Sequence, residues 1–229
     1  NRVPDVSFLI DTMLARSADS EDLFYDRIDD ERVGVLGHSF GGMTAIGSAA
    51  GWAGAPADSR VAAIVPMSAV IQPDLQSTLR ESPNAGFTPE QLATIEVPVM
   101  LIGGTKDDDV LISNNEVGFE QMTAAPAVYK VDIEGATHTH FTNVCTIGEL
   151  LIGLGITEDM WPNIGAADLT EPYENTCSDE AFPIEEVNRL LNIYVVSFFK
   201  QYLHGEQGYG TYLTTDYASE EPAIELSMR

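Results

Sequence analysis

Basic residues are scarce in this chain: 11 Lys and Arg, only three of them Lys, stand against 36 Asp and Glu, for a formal net charge of -25. That balance excludes a nucleic-acid partner, because backbone phosphates would be repelled. A neutral or cationic small molecule fits better, and most of the acid excess reads as a solvated surface suited to salt water. Cysteine is almost absent. The two present, Cys145 and Cys177, make no CxxC and no Cys/His cluster, so no metal site is expected. An even pair in an exported chain implies one disulfide, whereas in a cytosolic chain both would be buried thiols. No apolar run reaches the length of a membrane span, and the segment opening at Asn1 lacks the basic-then-apolar pattern of a signal peptide.

What is present is enough apolar residue, 44% of 229, for one core, and neither a repeat nor a low-complexity linker divides the chain. Residues 1–229 therefore read as one domain. Val6, Leu9, Ile10, Met13 and Leu14 recur at three- and four-residue spacings, which predicts an amphipathic helix over 4–18. Four apolar runs predict buried strands at 32–36, 61–67, 97–102 and 127–133. Between and after them, helices are predicted at 43–50, from the Thr88 cap through Ala93, over 114–122 and over 184–203. The run from Gln72 to Glu96 is otherwise polar and proline-marked. This alternation predicts an α/β fold, a mostly parallel sheet with helices on both faces. Residues 146–182 break the rhythm and read as an irregular excursion; the acidic tail from Thr214 reads as surface.

The most specific stretch runs from Val33 to Gly42 and contains Gly37-His38-Ser39-Phe40-Gly41, a G-x-S-x-G between a predicted strand and a predicted helix. Such a nucleophile elbow holds a serine on a strained turn, and the glycines two positions before and after relieve crowding. A serine hydroxyl is a weak nucleophile until a histidine takes its proton and a carboxylate orients that imidazole. Candidates for both follow predicted strands, where α/β sheets place their ligands. For the acid Asp107, Asp108 and Asp109 compete, with Asp107 nearest its strand; for the base His138 and His140 compete. The order Ser, acid, His is that of α/β-hydrolases. His38 is expected to pack beneath the elbow, and His204 to sit at a helix end. The Phe40 N–H is the expected oxyanion donor.

A second oxyanion donor belongs on a loop after an earlier strand, for which the printed sequence has no segment. The expectation is therefore an incomplete sheet, its C-terminal part, with an exposed strand edge. A separate or cleaved N-terminal segment would complete it and the oxyanion hole.

With these residues in place, the chain resembles the serine-nucleophile branch of the dienelactone hydrolase superfamily, near bacterial esterases similar to platelet-activating-factor acetylhydrolase. The resemblance rests on Arg2-Val3-Pro4-Asp5-Val6-Ser7-Phe8 with Ile10-Asp11, on residues 32–42, on Pro98 to Asp107, and on Gly135-Ala136-Thr137-His138 followed by Phe141-Thr142. It implies an α/β-hydrolase fold, Asp107 as the acid, His138 as the base, and hydrolysis of small carboxylic esters without metal or organic cofactor. Cutinase-like polyester hydrolases look similar around the histidine and also fasten that region by a disulfide, which fits a secreted or periplasmic protein. The excursion after His138 is then the expected wall of the substrate pocket, with His140, Trp161, Leu150, Leu151 and Ile152 as lining candidates. Peptidase or thioester hydrolysis on the same triad, and an inactive binding module of the same fold, are the competing readings.

Overall fold

The computed structural model describes residues 2–72 and 86–229. Its helices are α1 (Val3–Ala18), α2 (Phe40–Ala50), α3 (Pro89–Leu92), α4 (Ser113–Gln121), α5 (Val144–Gly153), α6 (Thr170–Cys177), α7 (Ile184–Tyr202) and α8 (Thr215–Ala218). One five-stranded sheet is ordered β1 (Val33–His38), β2 (Val61–Met67), β3 (Val99–Gly104), β4 (Val128–Ile133), β5 (Ile224–Met228). The first four strands are parallel and β5 is antiparallel to β4. The chain is thus an α/β fold with a mostly parallel sheet.

The apolar runs of β2, β3 and β4 become strands with both of their faces buried. Ile64, Val99, Leu101 and Val128 share a core with α1 and α2. The alternate residues Val65, Met100, Ile102 and Val131 pack with Leu190, Tyr194 and Phe198 of α7 on the other face. Each such branched side chain contributes about 1.5–3 kcal/mol when fully buried. Thr88 caps α3 through a reciprocal capping box with Gln91; the polar run before it lies, over 73–85, outside the described residues.

Four expectations need correction. The strand expected to be buried before the elbow is β1, which lies at the sheet edge with Leu36 46% exposed, because its outer side pairs with nothing among the described residues. In α1, Ile10 is buried but Leu9 faces solvent, since only one stripe of that helix meets α2. The excursion is largely helical: α5 and α6 flank short 3-10 turns, and Cys145 of α5 is disulfide-bonded to Cys177 of α6 with the Cα atoms 5.5 Å apart. The tail supplies β5 and the buried Ala218, so pairing with β4 brings part of that acidic segment into the sheet. Among the described residues no helix is long and apolar enough to cross a membrane.

Candidate active site

Strand β1 ends at His38 and α2 begins at Phe40, which leaves one residue for the reversal. Ser39 makes it with φ 56° and ψ -119°, a backbone state costing about 1–3 kcal/mol in a non-glycine residue. Its N–H donates to the Met67 carbonyl at 2.8 Å, and its own carbonyl accepts from Met43 N–H at 3.1 Å. These bonds tie the strained residue to β2 and α2.

Glycine makes room, though not entirely where spacing suggests. A methyl group on Gly37 would sit 2.3 Å from the Gly41 carbonyl oxygen, and one on Gly42 would sit 2.9 Å from both the Ala69 side chain and the Met67 carbonyl. One on Gly41 would meet nothing within 4 Å. The second position that has no space for a side chain is therefore Gly42, because the first turn of α2 presses that residue, and not Gly41, against β2.

The other two groups sit on the turns after β3 and β4, which clamp each other. Thr105 N–H donates to Ile133 at 3.0 Å, Lys106 N–H to Ala136 at 2.9 Å, and Gly135 N–H to Thr105 Oγ1 at 3.0 Å. Gly104 permits the approach, since a methyl group there would lie 2.2 Å from the Ala136 carbonyl oxygen. Asp107 is buried, and its Oδ1 accepts from the N–H groups of Asp109 at 3.0 Å and Val110 at 2.7 Å. Its Oδ2 is left for Nδ1 of His138 at 2.8 Å. Nε2 of the same ring lies 3.0 Å from Ser39 Oγ. With the carboxylate holding the proton on Nδ1, Nε2 is the acceptor that faces the hydroxyl.

Ser39, His138 and Asp107 are thus joined in one hydrogen-bonded line, and Asp108 is exposed beside it. As the first residue of α2, Phe40 has an N–H with no acceptor inside the helix. His38 packs against the His138 ring, with the two imidazole centroids 4.5 Å apart, and the Phe141 ring centroid lies 5.7 Å from that of His38. Burial, followed by the nearby charge of His138, lowers the His38 pKa to about 4. His204 is exposed just beyond α7.

Two lining candidates are not where the sequence pattern puts them. His140 is 1% exposed, with Nδ1 accepting from Thr137 N–H at 2.9 Å and Nε2–H donating to the Phe182 carbonyl at 2.9 Å. Burial pushes its pKa down. Trp161 is fully buried against Tyr173, its indole N–H bonded to the Ile156 carbonyl. Both rings are engaged by partners within the protein: His140 by Thr137 and Phe182, Trp161 by Ile156 and Tyr173. Leu150 and Ile152 face solvent from α5. The hollow that does border His138 is about 220 Å3 and is walled by Lys106, Asp108, Asp109, Glu171 and Asn175. None of those residues except the aspartates carried a sequence signal, as they converge only when α6 folds back.

No protein-family model matches this chain, and no curated protein matches it either. Among the described residues, no group of three or more His, Cys, Asp and Glu is arranged to hold a metal ion.

Proposed function

We propose that the chain is a serine carboxylic-ester hydrolase of the α/β-hydrolase fold that works through an acyl-enzyme on Ser39. The observation that carries this reading is the continuous line Asp107 Oδ2, His138 Nδ1, His138 Nε2, Ser39 Oγ, with contacts of 2.8 and 3.0 Å, ending on a strained serine at the start of a helix. Structural packing alone gives no reason to keep a serine at φ 56° when glycine would relieve the strain.

In this mechanism Ser39 Oγ attacks the ester carbonyl carbon while His138 Nε2 accepts its proton, and Asp107 steadies the imidazolium without taking a proton itself. The Phe40 N–H donates to the oxygen that becomes negative. His138 then returns the proton to the departing alkoxide, leaving the acyl group on Ser39. Water, deprotonated by the same Nε2, attacks the acyl carbon and releases the carboxylic acid and free Ser39. The charge of -25 and the carboxylates beside His138 favour neutral or cationic esters over anionic ones. The disulfide is weakly in keeping with a secreted or periplasmic location.

The test is Ser39→Ala together with a fluorophosphonate probe. The wild-type protein is expected to hydrolyse p-nitrophenyl acetate and to take up one probe at Ser39, and the variant to lose activity by several orders of magnitude. Hydrolysis that survives in the variant sinks the proposal, and folded wild-type protein that takes up no probe favours an inactive binding module instead.

A further inference from the structure

The residues on either side of His138 are both threonines, and both reach the same buried group. Thr139 Oγ1 lies 2.5 Å and Thr137 Oγ1 3.3 Å from Oγ1 of Thr176, which is 1% exposed on α6 next to the cross-linked Cys177. Thr137 Oγ1 also lies 2.7 Å from Nδ1 of His140, whose Nε2 faces the Phe182 carbonyl.

The direction of this chain of bonds is determined at one end. A carbonyl oxygen only accepts, so His140 Nε2 carries the proton and Nδ1 of the neutral ring accepts from Thr137. That uses the one hydroxyl proton of Thr137. Thr176 must then donate to Thr137, and Thr139 must donate to Thr176. Four side chains run in a single sense from Thr139 to the Phe182 carbonyl, with the triad histidine at the centre of the turn they hold. Burial of His140 favours the same neutral ring, because a charged ring would point an Nδ1–H at the Thr137 N–H.

We propose that Thr176 is a positioning residue for His138: by fixing Thr137 and Thr139 together, it aims Nε2 of His138 at Ser39. This rests on the triad reading above. It assigns the excursion a task other than lining a pocket, since α6, fastened through Cys177, becomes the support on which the triad histidine is mounted. Without the Thr176 hydroxyl, Thr139 loses its acceptor and Thr137 one of its two donors, the other being the His140 N–H, and the side-chain link between the two flanks of His138 is broken. Misplacing a reacting group by about 1 Å costs on the order of a hundredfold in rate.

The experiment compares wild type, Thr176→Val and Thr176→Ser well below their melting temperatures. It measures kcat and KM for p-nitrophenyl acetate, the rate of fluorophosphonate labelling, and the low-field proton NMR signal of the hydrogen between His138 and Asp107. Thr176→Val is expected to lower kcat and the labelling rate by roughly ten- to a hundredfold with little change in KM, and to shift or broaden the low-field signal. Thr176→Ser, which keeps the hydroxyl, is expected to restore all three. Thr139→Val deletes the same contact from its less buried end and carries the test if Thr176→Val does not fold. A variant that only melts earlier, with kcat, labelling and the NMR signal unmoved, would overturn the assignment and leave Thr176 as packing. Wild-type protein that does not label would defeat the triad reading and this role with it; labelled wild type beside an unaffected variant defeats this role alone.

Discussion

Gly37 lies against the backbone of Gly41 so closely that a single methyl group on the first would stand 2.3 Å from the carbonyl oxygen of the second. The elbow is therefore asymmetric: the glycine before the serine has no space for a side chain, whereas the one two positions after it has open space. Gly37→Ala is expected to destabilise the protein severely, because the added atom meets backbone that cannot move without releasing the Ser39 turn. Gly41→Ala lies within α2 and is expected to stabilise by about 0.5–1 kcal/mol. Thermal melts of the two variants decide this; equal losses would show that Gly41 is constrained in a way its surroundings do not reveal.

Asp107 is singled out from its two neighbours by Oδ1, which accepts two backbone N–H groups and so turns Oδ2 to His138. Asp107→Asn should lower kcat by about 10^4, the cost of the wrong imidazole tautomer. Asp108→Asn should leave kcat nearly unchanged. If the two variants lose equal activity, the acid has been misassigned.

His38 links the site to acid stability. Its pKa falls from the ordinary 6.5 to about 4 on folding, so as the pH drops the unfolded chain takes up this proton first. The stability present above pH 6.5 is then lost between 6.5 and about 4, by on the order of 3 kcal/mol. Burial of His140 acts in the same direction. Urea midpoints measured from pH 7.5 to 4.5 should fall, and should fall less in His38→Phe, which has no proton to gain; an unchanged slope would exclude His38 as the source.

The disulfide joins residues 32 apart. In the chain-entropy model such a link contributes about 3–4 kcal/mol, so the paired Cys145→Ser, Cys177→Ser variant should melt about 6–15 °C lower. Differential scanning calorimetry under identical conditions measures this, and a fall of a degree or less would mean that packing of α5 on α6 suffices without the bond.

At the edge of β1, Leu36 presents an apolar side chain beside backbone that pairs with no strand among the described residues. Leu36→Lys should reduce concentration-dependent association of this chain, as charge does on other sheet edges. Light scattering across a dilution series is the check, and association that persists undiminished would locate the sticky surface elsewhere.

Several of these features are legible in the sequence because they are local. Strands β1 to β4 are short apolar runs ended by glycine or a polar turn, and α7 has a helical apolar stripe along its whole length. The strand β5 is not legible: Glu225 and Ser227 alternate with apolar residues over only five positions, and pairing with β4, not propensity, makes it extended. The helices of the excursion were hidden in the same way, since glycine, proline and acid dominate a segment that folds by packing on its disulfide and on the buried Trp161.

By itself the sequence determined the strand-serine-helix reversal at Ser39, the order in which serine, acids and histidines follow the strands, and the net charge of -25. Those depend on neighbours in the chain or on composition. Only the tertiary structure decided which aspartate reaches an imidazole, that His140 turns inward to Phe182, that Gly42 and not Gly41 is crowded, and that Thr176 meets both flanks of His138. These are distances between groups from 31 to 99 residues apart in the case of the triad, and 37 and 39 in the case of Thr176. No local pattern encodes such distances, because they exist only once the sheet has brought the ends of its strands together.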